Sequence, residues 1–384
     1  MPWSSSRNAS GGLAIGLHRV CGTGNPASAS QGPFPIASPF PGHHLQRLMT
    51  IRSSLLLLPL ALACLVLSSC SAHLSAGKRP PCAAPSSVGA PTLQESAFTS
   101  FDGNRFPYSK WLPLDDSPPS VVVVGFHGIA GASTDLSILG KHLQEHDSSV
   151  AVYAPDLRGQ GNDPVPSRRG DIQDRRDWFS DFRTFTRLVR QQHPKARIVW
   201  CGESMGSLIA LHAVATSSSN RNPPCDALIL SSPIAHIHDD FPQWKRTALR
   251  WGARLFPWWK ISLESLSAQD DVRVVRDVVH REQAQTNSYH VPAFTFRLLY
   301  TLGNMIESLP AQANRVGLPV LILHGGHDIF SRPEDVKAFS RQFAPTARIT
   351  RHFYPQSYHL LFYDHSHKQV LTDITCWIGS LDKP

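Results

Sequence analysis

The chain has 384 residues, 41% of them hydrophobic and 17% charged, with a formal charge of +8, enough for one large domain or two small ones with a sizeable core. Six of its 37 basic residues (Arg7, Arg19, Arg47, Arg52, Lys78 and Arg79) precede residue 90, where no acidic residue occurs, leaving 31 basic against 29 acidic residues in the remainder. The body is therefore close to neutral and carries no basic aromatic or helix-turn-helix signature, so nucleic acid is not an expected partner.

Residues 1–48 are rich in Ser, Pro and Gly, lack acidic residues and show no periodicity. They read as an extension upstream of a true start at Met49, or alternatively as a transit peptide. From Met49 the pattern changes. Arg52 is followed by an apolar run over 55–67, then by Leu67-Ser-Ser-Cys70. A basic start, a short apolar stretch and small residues form a signal peptide over 49–70, too short to span a bilayer comfortably. The Leu-Ser-Ser-Cys run resembles the bacterial lipobox, which implies lipidation of Cys70 and a membrane-anchored lipoprotein of the cell envelope, facing the periplasm or exterior. An ordinary secretory signal with a chance cysteine is the alternative. Residues 71–92 read as a flexible tether.

The folded domain is expected over 93–384. Asp102-Gly103, between apolar runs, signals a hairpin. The stretches VVVVGF (121–126), VAVYA (150–154), IVWCG (198–202), ALILSS (227–232) and PVLILH (319–324) are nearly continuous in apolar character. That marks strands buried on both faces, as in a parallel sheet. ARITRHFY (347–354) alternates and reads as a further strand. Strands alternating with helical patterns give an α/β layered fold. Residues 235–317 break the alternation, hold no convincing strand, and are expected to form a helical cap inserted before the last two strands.

Gly202-Glu-Ser-Met-Gly206 follows a strand and opens a helix, the context of a nucleophile elbow with Ser204 at its tip. The plainer reading of Ser204 is a helix N-cap. A serine nucleophile needs a base, and the base an orienting acid, in the chain order Ser, acid, His for this architecture. Asp328 stands on the loop after PVLILH. Glu334 and Asp335 are weaker candidates because a helix starts there. Of the nineteen histidines, His359 lies just past the last strand and follows the acid. His352 is inside a strand pattern, His365 and His367 lie further on, and His324 and His327 precede Asp328. The expected chemistry is two-step acyl transfer with His359 as base. The oxyanion is expected to take hydrogen bonds from the backbone N–H groups of Met205 and of Ile129, in the FHGIAG loop after an early strand.

His127-Gly128, Asp156-Leu-Arg-Gly-Gln-Gly161, Gly202-Glu-Ser-Met-Gly206, His324-Gly-Gly-His-Asp328 and His359 occur in that order. Together they resemble the α/β-hydrolase branch of monoacylglycerol lipases, lysophospholipase-type esterases and serine aminopeptidase-like hydrolases, over roughly residues 93–380. The resemblance implies a mostly parallel sheet flanked by helices, a serine triad, and an acyl pocket shaped by the cap. It departs at Gln160, where the family usually has His and which the resemblance sets at the pocket entrance, and at Ser207, where it often has Gly. A dehalogenase or epoxide hydrolase of this fold would carry Asp at the position of Ser204.

Within the cap, FPQWKRTALRWGARLFPWWK (241–260) places Trp244, Ala248, Trp251 and Leu255 on one helical stripe amid basic residues. The stripe either lies in a lipid interface or packs on the sheet domain. The expected function is hydrolysis of carboxylic esters of single-chain lipids at a membrane surface. Competing with it are an aminopeptidase or amidase, in which Glu203 or a cap residue would bind the substrate amine, and a ligand-binding lipoprotein without activity. No cofactor or metal is expected, since the seven cysteines form no metal-like spacing. A disulfide among Cys82, Cys225 and Cys376 is open, and Cys201 is expected to be buried.

Overall fold

A computed structural model describes residues 89–217, 223–236, 242–262, 289 and 291–381. The extension 1–48, the signal segment 49–70 with Cys70, Cys82 and nearly all of the tether lie outside the described residues. A bridge joins Leu93 and Phe98 ahead of the first strand. β1 (Ala97–Thr99) and β2 (Arg105–Trp111) form the expected antiparallel hairpin. At its turn Gly103 has φ +82°, a conformation that glycine adopts without steric cost, and Asp102 Oδ1 accepts the Asn104 N–H at 3.1 Å.

The remaining sheet strands fall on the apolar runs read from the sequence. They are β3 (Val121–Phe126), β4 (Val150–Pro155), β5 (Arg197–Glu203) and β6 (Ala227–Ser231). After a short cap ladder of β7 (Lys260–Ile261) and β8 (Phe294–Thr295) come β9 (Val320–Gly325) and β10 (Ile349–Tyr354). The eight sheet strands run in the order β1-β2-β4-β3-β5-β6-β9-β10. β2 pairs antiparallel to β4, and the six strands from β4 to β10 are mutually parallel.

The unbroken valines of β3 are explained by two cores. Val122 and Val124 face one, with Trp178, Phe182 and Leu208. Val121 and Val123 face the other, with Leu139, Leu143, Val370 and Ile374. Successive side chains of a strand alternate between faces, so a strand covered on both sides must be apolar throughout. The first face is covered by α2 (Arg175–Gln192) and α3 (Met205–Ala215), the second by α1 (Ser137–His146) and α8 (His367–Ser380). All eleven residues of α3 are buried, which explains why its sequence, MGSLIALHAVA, is apolar on every side.

The described part of the cap comprises α4 (Gln243–Leu255), α5 (Phe296–Glu307) and α6 (Leu309–Ala313). The segment DVRVVRDVVHREQ (271–283) lies outside the described residues. The cap is not wholly helical. β7 pairs antiparallel with β8, and Phe294 and Thr295 are buried; two residues are too few to leave a periodic trace in the sequence. In α4 the stripe Trp244, Ala248, Trp251 and Leu255 turns outward, with Trp244 68% exposed and Trp251 55%. The packing side of α4 is instead Leu249 and Gly252, where a β-carbon on Gly252 would lie 2.8 Å from the Phe296 ring. One last helix, α7 (Pro333–Ser340), follows the loop that leaves β9.

Among the described cysteines, Cys201 and Cys225 are buried and free, and Cys376 is exposed and free. No described helix is long and apolar enough to cross a membrane.

Candidate active site

Ser204 sits between the end of β5 and the start of α3 with φ +51° and ψ −114°, a region sparsely populated by non-glycine residues and costing of the order of 1–3 kcal/mol. The surroundings impose it. A β-carbon on Gly206 would lie 2.1 Å from the Phe126 carbonyl oxygen, and one on Gly202 would lie 2.4 Å from the Ser207 nitrogen. Only glycine lets β3, β5 and α3 approach this closely. The turn is pinned by hydrogen bonds from Ser204 N–H to the Ser231 carbonyl (2.9 Å) and from Ser207 Oγ to the carbonyls of Gly202 (2.6 Å) and Ser231 (3.0 Å). Ser207, a departure from the resemblance, thus takes part in bracing the elbow. Ser204 Oγ caps no backbone N–H of α3, which removes the N-cap reading.

Three expected residues meet at the carboxyl ends of the strands. His359, on the loop between β10 and α8, places Nε2 2.8 Å from Ser204 Oγ and Nδ1 2.9 Å from Asp328 Oδ2. Asp328 Oδ1 accepts the Phe330 N–H at 2.8 Å. Burial alone would raise the Asp328 pKa, but the adjacent His359 and the Phe330 N–H outweigh it and hold the carboxyl below the usual range. The Phe330 ring packs edge-on to the His359 imidazole at 4.6 Å, covering it from solvent. His324 lies behind the acid with Nδ1 3.7 Å from Asp328 Oδ2, too far for a hydrogen bond, and burial lowers its pKa. Glu334 and Asp335 stand in the first turn of α7 and His352 on β10 beside Asp373, all apart from this group.

The loop after β3 lies over the elbow, since a β-carbon on Gly128 would be 3.5 Å from Ser204 Cβ. Met205 is the first residue of α3, so its N–H precedes the helical ladder. No hydrogen bond of the Ile129 N–H occurs among the described residues. Neither N–H is taken up by a hydrogen bond among the described residues.

The segment Asp156-Leu-Arg-Gly-Gln-Gly161 proves to be the support of this loop. Gln160 is fully buried, and its Oε1 accepts the Ala130 N–H at 2.9 Å, fixing Ala130 at φ +61°. Gln160 thus braces the loop after β3 from within the protein. His127 Nδ1–H donates to the Gly128 carbonyl at 2.8 Å, and its Nε2 accepts the Leu157 N–H at 3.1 Å. Asp156 accepts from Ser133 N–H at 2.9 Å, and Arg158 is buried between Asp181 and Asp102.

The structure also corrects the expectation for Glu203 as an amine-binding subsite. Glu203 is only 2% exposed and lies two residues beyond Cys201 on β5, hence on the sheet face that carries α1 and α8. Burial, aided by Asp135, pushes its carboxyl up to about 8. Two further residues carried no sequence signal. Ser231 offers its carbonyl to the elbow, and Ser232, at φ +47°, donates its hydroxyl to the His359 carbonyl.

Residues 117–366 match the serine aminopeptidase S33 family. The chain is 28% identical over 291 residues to a monoacylglycerol lipase of Mycolicibacterium smegmatis, covering 75% of this chain and 98% of that protein. Among solved structures it resembles a soluble variant of the Saccharomyces cerevisiae monoglyceride lipase (21% identity, TM-score 0.63, 78% and 98% of the two chains). It also resembles the Paleococcus ferrophilus monoacylglycerol lipase (19% identity, TM-score 0.57, 72% and 98%).

Proposed function

The chain belongs to the serine aminopeptidase S33 family of α/β-hydrolases, and from that premise we propose that it hydrolyses carboxylic esters of single-chain lipids, of the monoacylglycerol or lysophospholipid type, through Ser204, His359 and Asp328. The observation that carries this is the continuous chain from Ser204 Oγ through His359 to Asp328, at 2.8 and 2.9 Å. In the proposed cycle His359 Nε2 takes the Ser204 proton as Oγ attacks the ester carbonyl. The Met205 and Ile129 N–H groups receive the oxyanion, and Asp328 stabilises the imidazolium without taking its proton. His359 then protonates the departing alcohol. Water activated by the same imidazole hydrolyses the acyl-enzyme.

The lipid part of the proposal draws on the cap and on the M. smegmatis relative, a monoacylglycerol lipase. Trp244, Trp251, Leu255, Phe256, Trp258 and Trp259 are all exposed on one short stretch. Large apolar groups left in water in this number mark a surface made for an apolar partner. With basic residues on the same helix, that surface suits a lipid interface. Lipidation of Cys70 would supply the second membrane signal and hold the enzyme on the bacterial cell envelope.

The test is a panel of p-nitrophenyl esters of graded chain length, run beside labelling by a fluorophosphonate probe in wild type and Ser204→Ala. Labelling lost in the variant, with activity rising toward longer acyl chains, supports the proposal. Activity confined to acetate removes the lipid substrate. The family's aminopeptidase description keeps an amidase as the second reading, and turnover of aminoacyl-arylamides in preference to esters would favour it.

A further inference from the structure

Glu203 and Ser231 are paired across β5 and β6 in register, so their side chains leave the sheet on the same face about 5 Å apart. Both are buried, and both keep a polar atom without a partner, Glu203 Oε1 and Ser231 Oγ. The mechanism proposed above uses neither side chain. Yet the two backbones are the elbow's support, because Ser231 O accepts the Ser204 N–H and Glu203 is the residue before the nucleophile.

Asp135, in the turn before α1, acts electrostatically on the Glu203 carboxyl. Glu203 in turn acts on Tyr363, in the loop before α8, and on Cys201 of β5 itself. The Tyr363 hydroxyl donates to the Asp135 carbonyl. Asp135 Oδ2 accepts the Ala132 N–H at 3.0 Å and stands where a β-carbon on Gly131 would be only 2.2 Å away. It therefore sits against the underside of the oxyanion loop. A carboxylate at Glu203 would be a buried charge near Asp135, and Glu203 itself makes no ion pair among the described residues, a costly arrangement. A neutral carboxylic acid has no such conflict.

We propose that Glu203 is a positioning residue that works as a neutral acid: it holds its proton while the site is active, and its ionisation disables the elbow and the oxyanion loop above it. Ser204 is fixed at φ +51°, so a movement of Glu203 toward water is passed to Oγ through one peptide bond. A new negative charge beside the oxyanion loop also opposes the oxyanion. The proposal rests on Ser204 being the nucleophile.

The experiment compares wild type with Glu203→Gln, which has the shape of the neutral acid at every pH, and with Glu203→Met as a second neutral variant should the amide pack poorly. Two quantities are followed against pH: the melting temperature and the second-order rate of fluorophosphonate labelling. The unfolded carboxyl ionises near its ordinary value of 4.5 and the folded one near 8. Between these the folded chain binds the extra proton, so wild-type stability falls with rising pH and levels off above the folded value. The expected result is a gap in melting temperature between variant and wild type that widens across this window. The labelling rate of wild type should fall about ten-fold through an inflection near 8 that the variants lack. Melting curves that stay parallel with pH, or the same alkaline inflection in all three proteins, would overturn the proposal. Absence of labelling at any pH would instead overturn Ser204 as nucleophile, and with it the positioning role, while the widening melting gap would still establish the proton on Glu203.

Discussion

The Ser232 hydroxyl donates a hydrogen bond to the backbone carbonyl of His359. Since Ser231 accepts the Ser204 N–H, two consecutive residues at the end of β6 hold both the nucleophile's backbone and the base's. The end of β6 thus braces both partners of the Oγ–Nε2 contact, although it contributes no reacting atom.

Ser232→Ala removes the hydroxyl and leaves the backbone. A net hydrogen bond of this kind contributes about 1 kcal/mol. Because it fixes the base against the nucleophile, kcat on a soluble ester should fall by roughly five-fold with KM little changed. A lower melting temperature with unchanged kcat would make Ser232 a purely structural residue.

Asp328 gives the acid side of the pH dependence. Its carboxyl is held below the usual range chiefly by His359, against the effect of burial. The unfolded chain therefore binds a proton here more readily than the folded one. The resulting stabilisation is complete above the ordinary value of 3.8 and is lost as pH falls through the lower folded value. Asp328→Asn should flatten the acid limb of melting temperature against pH and reduce kcat by roughly 10³–10⁴-fold. An unchanged acid limb would place the acid-sensitive group elsewhere.

The parts of this site that were legible from sequence are those whose local pattern is tied to a backbone constraint. Gly202 and Gly206 are required by close approach, and the apolar runs by two-sided burial, so the strand positions and those of Ser204, Asp328 and His359 follow from periodicity and chain order, while the crossover that sets β4 outside β3 does not. Ser232 and Gln160 act through single hydrogen bonds to residues 127 and 30 positions away, and no spacing rule reaches that far. Glu203 was misread as facing substrate because a period-two alternation fixes a side chain's face only once the sheet's neighbours are known. The stripe of α4 was periodic in either reading; which way it turns depends on Gly252 meeting Phe296.

The cap is fastened to the body at Asp171, which accepts hydrogen bonds from Arg297 and, at 2.7 Å, from Thr295 Oγ1. Burial alone would raise the Asp171 pKa, but these partners lower it. Arg297 is 31% exposed, so the pair is worth only about 1 kcal/mol. Arg297→Ala should therefore leave global melting nearly unchanged while speeding proteolytic cleavage within residues 242–316. Equal cleavage rates would show that α5 is held by its apolar contacts alone.

The outward stripe of α4 yields the prediction that separates chemistry from surface binding. Trp244, Trp251 and Leu255 lie more than half exposed, so replacing all three by serine removes apolar surface without opening a cavity. On a water-soluble short-chain ester the triple variant should match wild type, since all three side chains lie on the outward face of α4, away from its packing side at Leu249 and Gly252. On sedimented phosphatidylglycerol–phosphatidylcholine vesicles its partitioning should fall by roughly ten-fold or more, because the interfacial affinity of such a helix scales with the apolar area it inserts. The assay is run on chain lacking the segment up to Cys70, so that a lipid anchor cannot mask the loss. Equal partitioning of variant and wild type would show that the exposed tryptophans do not meet lipid. Loss of soluble-ester activity in the variant would make them part of the acyl pocket instead.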